Sequence, residues 1–160
     1  MLNNLWRKFL SSDLVRSRLF DEKTFYRQFI HDLGSVKREV VIESPYIASQ
    51  RMFTLLPVFN RLIAKKVKIY VITRDPDEHD LPMRQQAEAE IRNFEMMGIQ
   101  VLITADYDHR KLAILDRKIL WEGSLNILSQ SYSREIMRRI ASETQAAEMF
   151  RYINLGKYIY

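Results

Sequence analysis

The chain has 160 residues, 47% hydrophobic and 11% aromatic, with four Gly, four Pro, no Cys and a formal charge of +5. Such a length and composition suit a single globular domain with a substantial core, spanning residues 1–160, and exclude a disordered, fibrous or repeat architecture. The missing cysteine excludes a disulfide scaffold, a zinc ribbon and thiol catalysis, and is compatible with a cytoplasmic location.

Residues 1–20 carry Leu2, Leu5, Trp6, Phe9 and Leu10 at helical spacing, interrupted by Arg7 and Lys8. A helical extension is expected there, for packing or for a partner, with a membrane-surface helix as the alternative. No apolar run is long enough for a leader core or a membrane span. Asp21 can cap a helix that runs to about Leu33 with Phe25, Phe29, Ile30 and Leu33 on one face, and Gly34 stops it. Glu39–Glu43 (EVVIE) is a short β-branched run and reads as a buried strand, ended by Ser44-Pro45-Tyr46. A helix is expected over Ser49–Ala64, with Pro57 challenging its continuity.

Lys68–Thr73 (KIYVIT) is a second strand, followed by a polar turn and a helix from about Pro82 to Met97. Seven acids and two arginines lie between Asp75 and Glu95, so this window is acidic and the rest of the chain strongly basic. A basic body with one acidic face suits a polyanionic partner. Ile99–Ile103 (IQVLI) is a third strand, and the strand-helix alternation predicts parallel pairing with right-handed crossovers. Lys111–Leu115 and Lys118–Trp121 are too close for an intervening helix and must pair as a hairpin. Arg134–Ile140 is a further strand, and Ser142-Glu143-Thr144-Gln145 forms a capping box opening a last helix. The sum is an α/β fold, a mixed β-sheet sandwiched by helices.

The stretch HRKLAILDRKILWEGSLN, His109 to Asn126, carries the chemistry. Residues two apart on a strand face one side, so His109 and Lys111 project together as nucleophile or proton donor beside a fixed cation. The hairpin brings Gly123-Ser124-Leu125-Asn126 back towards that strand. Gly123 permits close approach, and the Ser124 hydroxyl and Asn126 amide can donate to phosphate oxygens. Asp116 lies at the hairpin turn, where a structural hydrogen-bonding role is expected within the catalytic set. A lone His is usually structural, and His31 and His79 are read that way. Six fixed identities in one register are another matter, with a chance probability of ~10⁻⁸.

His-x-Lys, four residues, Asp, six residues, Gly-Ser-x-Asn resembles the HKD signature of the phospholipase D superfamily at every defining position. The resemblance extends over about residues 24–153 and implies the phospholipase D-like fold and metal-independent phosphodiester chemistry through a phosphohistidine. It further implies that Glu135 hydrogen-bonds a catalytic histidine, although nine residues after Asn126 is slightly short, and that the Glu43–Tyr46 loop, with Tyr46, borders the pocket. The chemistry needs two imidazoles, one as nucleophile and one as acid. His31-Asp32-Leu33 and His79-Asp80-Leu81 lack the lysine, so a homodimer sharing one active site is implied.

No acids or histidines have ligand spacing, and no metal or cofactor is expected. A nuclease is the first reading, with nucleic acid as partner; Tyr46, Tyr107 or Trp121 could stack on bases, although core packing suits Trp121 better. The rivals are a non-catalytic DNA-binding or dimerisation module of a larger system and a lipid phosphodiesterase.

Overall fold

The structure is a computed structural model that describes residues 16–159. Seven strands, β1 (Ser17–Asp21), β2 (Glu39–Glu43), β3 (Lys68–Arg74), β4 (Gln100–Thr104), β5 (Leu112–Leu115), β6 (Ile119–Gly123) and β7 (Ile136–Ala141), form a sheet of order β1-β7-β6-β5-β2-β3-β4. The helices are α1 (Phe25–Gly34), α2 (Ser49–Ala64), α3 (Leu81–Met96) and α4 (Glu143–Tyr152).

Strands β2, β3 and β4 pair in parallel through α2 and α3, while β5, β6, β7 and β1 continue the sheet antiparallel. Alternation along the strands builds two cores. Val40, Ile42, Ile69, Val71, Ala113 and Leu115 face α1, α2 and α3. Val41, Tyr70, Ile72, Leu112 and Ile114 face α4. Both faces are covered, so the central strands read as continuous apolar runs. Full burial of Phe25, Phe29, Phe59 and Phe94 contributes about 1.5–3 kcal/mol apiece.

Three local readings change. Residues 17–20, expected within a helical extension, form with Asp21 the edge strand β1, with Ser17 opposite Ile140 and Asp21 opposite Ile136. The rest of that expected helix, residues 1–15, lies outside the described residues. Asp21 does not cap α1, which begins four residues later. Its Oδ1 instead accepts from Lys23 N, Thr24 N and Thr24 Oγ1 at 3.1, 2.9 and 2.6 Å, closing the turn between strand and helix. Pro57 leaves α2 continuous. Both Pro57 and Phe53, whose carbonyl a proline cannot bond, lie on the exposed side, where water can satisfy that oxygen.

Trp121 is fully buried among Phe20, Phe25 and Phe29, away from any substrate. Its Nε1 donates to Asp32 Oδ2 at 3.0 Å, and Arg139 donates to both Asp32 oxygens at 2.7 and 3.1 Å. A carboxylate this buried needs its cation. Removing Arg139 alone is expected to cost about 3–5 kcal/mol. Ser142 caps α4 as expected, its Oγ accepting from Gln145 N.

Candidate active site

One end of the sheet gathers the carboxyl ends of β2, β3, β4 and β6 with the starts of β5 and β7. Ligand crevices of α/β sheets form at this end of the parallel strands. An open cleft of about 800 Å³ lies here, lined by His109, Lys111, Gly123, Ser124, Asn126 and Glu135 among others. Exposed Leu19, Ile136 and Tyr152 share its walls.

His109 and Lys111 sit in the lead-in to β5, just ahead of its first paired residue, and they do share a side. Lys111 Nζ lies 2.6 Å from His109 Nδ1 and donates to the His109 carbonyl oxygen at 2.5 Å. Burial, the Lys111 charge and the Arg74 charge together hold the His109 imidazole below its ordinary value. Burial likewise lowers the Lys111 ammonium, with the charges of Glu135 and Asp108 working against it.

Gly123 answers a strict packing need. A Cβ there would fall on the Ile136 carbonyl oxygen and within 2.8 Å of Met137 Sδ, so any other residue would part β6 from β7. Ser124 Oγ accepts from Ile136 N at 3.1 Å, leaving its proton only a 3.5 Å contact to Ile136 O. Asn126 lines the cleft, and its Oδ1 is buried and meets no donor.

Glu135 shares the cleft without touching His109 in the single chain. Its Oε1 accepts from Ser133 Oγ at 2.8 Å, and β7 begins one residue later. Asp116 stands apart. It lies at the other end of β5, seven residues and roughly 20 Å of extended chain from His109. Its Oδ2 accepts from Lys37 N at 2.9 Å, and its Oδ1 from Arg38 N and Glu39 N at 2.8 and 3.0 Å. Burial works to raise this carboxyl, but those three N–H groups and Arg38 hold it below its ordinary value. Asp116 therefore staples the hairpin to the start of β2.

Tyr46 lies beside His109 but is not among the residues that line the cleft. Its ring meets His109 edge-on at 6.0 Å, and its hydroxyl accepts from Arg74 Nη1 at 3.3 Å. Its other neighbour is His79, read from the sequence as structural, whose ring lies 4.9 Å from Tyr46 and whose Nε2 is buried without a partner. Sequence reasoning missed Arg74, which ends β3, pairs with Glu78 at 2.6 Å and covers the Tyr107 ring at 4.5 Å. No spacing rule links these residues; a strand end brings them together. Among the described residues no three His, Cys, Asp or Glu side chains converge as a metal site.

A family model described as "Cardiolipin synthase, PLD-like domain" matches residues 29–154. Among solved structures, Nuc from Salmonella typhimurium, described as a phospholipase D family member, superposes with a TM-score of 0.69 at 12% identity. The match covers 85% of this chain and 90% of that one. NucT from Helicobacter pylori gives 0.68 at 15%, covering 85% and 91%. Phosphatidylserine synthase from Haemophilus influenzae gives 0.68 at 15%, covering 89% of this chain but 38% of its own. At these identities the structural likeness shows the fold. A search of curated proteins returns no match.

Proposed function

This chain belongs to the phospholipase D-like phosphodiesterase superfamily, and from that premise we propose that it is a metal-independent nuclease acting as a homodimer through a phosphohistidine. The observation that carries this reading is an exposed His109 with a lysine cation 2.6 Å from its ring, on the wall of an open cleft. The strongly basic body outside residues 75–95 supports a polyanionic substrate.

In the proposed reaction, a neutral His109 attacks phosphorus and the bond to the leaving oxygen breaks. The partner's His109, as imidazolium, protonates that oxygen. Now neutral, it takes a proton from water, whose oxygen displaces the first histidine and restores both rings. Lys111 and Asn126, with the matching pair across the two-fold axis, stabilise the charge on the non-bridging oxygens. Attack from Nε2 requires the proton on Nδ1, whereas Lys111 now makes Nδ1 an acceptor. A phosphate that draws Lys111 to its own oxygens releases Nδ1, and Glu135, in the same cleft, then accepts a hydrogen bond from the Nδ1–H and holds that tautomer.

A lipid phosphodiesterase is the second reading, favoured by the description of the matching family and by the fold shared with phosphatidylserine synthase. One assay separates the two. The protein is incubated with a labelled oligonucleotide or with phosphatidylcholine vesicles, each with excess chelator, beside a His109→Ala control. Oligonucleotide cleavage that survives chelation and vanishes in the variant is expected. Turnover of lipid alone establishes the second reading, and magnesium dependence or an unaffected variant removes the mechanism.

A further inference from the structure

Glu43 ends β2 at 1% exposure, between the apolar strands β3 and β5, and the mechanism above does not use it. Its Oε1 accepts from Arg110 Nε at 2.8 Å, while its Oε2 is buried and meets no donor. One guanidinium bridges the Glu43 and Asp108 carboxyls, with Arg110 Nε 2.8 Å from Glu43 Oε1 and 3.4 Å from Asp108 Oδ1, which brings the two acids together. Asp108 is already well supplied. Its Oδ2 accepts from Thr104 Oγ1 at 3.2 Å and its Oδ1 from Arg110 N at 3.1 Å, with Arg110 Nε 3.4 Å away.

Two ionised carboxylates in such contact repel, and neither has a hydrogen to offer. One proton on Glu43 turns the orphan oxygen into a donor to Asp108. With Arg110 the group then carries no net charge, which suits its burial. Burial, then the bond to Asp108 and its charge, push the Glu43 carboxyl up to about 8. Burial acts on Asp108 in the same sense, but bonds from Glu43 and the Arg110 backbone and the Arg110 charge outweigh it and hold that acid low.

We propose that Glu43 and Asp108 hold one proton between them and that this acid pair is the positioning device for His109. It deepens the reading of His109 as the reacting residue and rests on it. His109 lies between the ladders, after β4 ends at Thr104 and before β5 begins at Leu112. Within that link Asp106 and Tyr107 both take left-handed backbone, with φ of 68° and 55°, so the segment does not continue a strand. The residues on either side of His109 are instead tied to β2 and β4 through side chains: Asp108 to Glu43 and Thr104, Arg110 to Glu43. Loss of the shared proton sets two anions against each other at the ties that flank the histidine.

The charged groups facing the pair are few. Arg110 bridges it, with the Tyr152 ring of α4 6.0 Å from that guanidinium. Lys111 and His109 feel the Asp108 charge from the cleft side. Arg74, from the end of β3, acts on His109 and is itself paired with Glu78.

The test uses NMR titration of Glu43 side-chain carboxyl and His109 ring signals, beside turnover against pH. In the wild type, Glu43 should ionise near about pH 8, and the His109 ring should shift a second time in that range, well above its own titration. Turnover should fall over the same range. Glu43→Gln keeps the shape, accepts from Arg110, donates to Asp108 and has no proton to lose. It should retain turnover at neutral pH while both the alkaline decline and the second His109 step disappear. Glu43→Ala should lower kcat roughly tenfold or more with KM little changed. If that variant fails to fold, the Gln comparison decides.

A Glu43 that ionises in the ordinary carboxylate range overturns the proposal. So does a His109 step that survives in Glu43→Gln. The NMR readouts need no substrate, so a protein that cleaves neither oligonucleotide nor lipid removes the proposed function while the acid pair is still read directly.

Discussion

Lys111 Nζ stands 2.6 Å from His109 Nδ1, and an ammonium has protons to give and no lone pair to receive one, so Nδ1 is the acceptor. The contact favours a neutral ring. Together with burial and the Arg74 charge it holds His109 below its ordinary value, so the neutral nucleophile persists to more acidic pH than a free imidazole allows. Lys111→Ala removes the second of those causes. The His109 titration followed by NMR should move up towards about 6.5, and turnover should drop by roughly a hundredfold as the oxyanion loses its cation. An unmoved titration would mean that Lys111 does not face the ring in solution.

A shared site predicts how mixed dimers behave. The proposed two-imidazole mechanism, with one motif per chain, requires a homodimer as the active species, and exposed Leu19, Ile136 and Tyr152 beside the cleft offer apolar surface for its interface. Hybrids of wild-type and His109→Ala chains should be nearly inactive, since each lacks either the nucleophile or the acid. Half-activity per hybrid would indicate two independent sites, and a monomer at working concentration by light scattering would remove the dimer.

Glu135 accepts from Ser133 in the single chain, yet shares the cleft with His109, and its charge reaches Lys111. If it accepts a hydrogen bond from the Nδ1–H during attack, Glu135→Gln should cut turnover more than about tenfold while nucleic-acid affinity and dimerisation stay nearly unchanged. Wild-type turnover in that variant would leave Glu135 with its Ser133 contact alone.

Asp116 should behave as a stability residue. An amide cannot serve three backbone N–H donors as a carboxylate does, so Asp116→Asn is expected to cost about 1–3 kcal/mol and lower Tm while the folded enzyme keeps its turnover. The sign of the pH dependence follows from its lowered pKa. The contribution is present above the ordinary carboxylate value of 3.8 and is lost as pH falls through the lower folded value. The Tm gap between wild type and variant should therefore close in acid. A gap that widens there, or a variant with normal stability and no turnover, would return Asp116 to the chemistry.

Spacing and periodicity by themselves determined a good deal. The β-branched runs at residues 39–43 and 68–73 with an intervening helix fixed parallel pairing, because an apolar strand buried on both faces needs helices above and below. Two residues between Leu115 and Lys118 left room only for a hairpin, and the six motif positions, His109 to Asn126, named the chemistry. Tertiary structure decided what local pattern does not encode. The SRLFD segment of β1 has no apolar run or strict alternation and is a strand only because β7 offers it an edge. The hairpin turn pointed to a structural role for Asp116, but only the fold supplies its partners, the backbone N–H groups of Lys37, Arg38 and Glu39. Glu43 and Asp108 are 65 positions apart, and no spacing rule links them. Only the pairing of β2 with both β3 and β5 buries the first beside the second, and burial is what gives an ordinary carboxyl a proton to share.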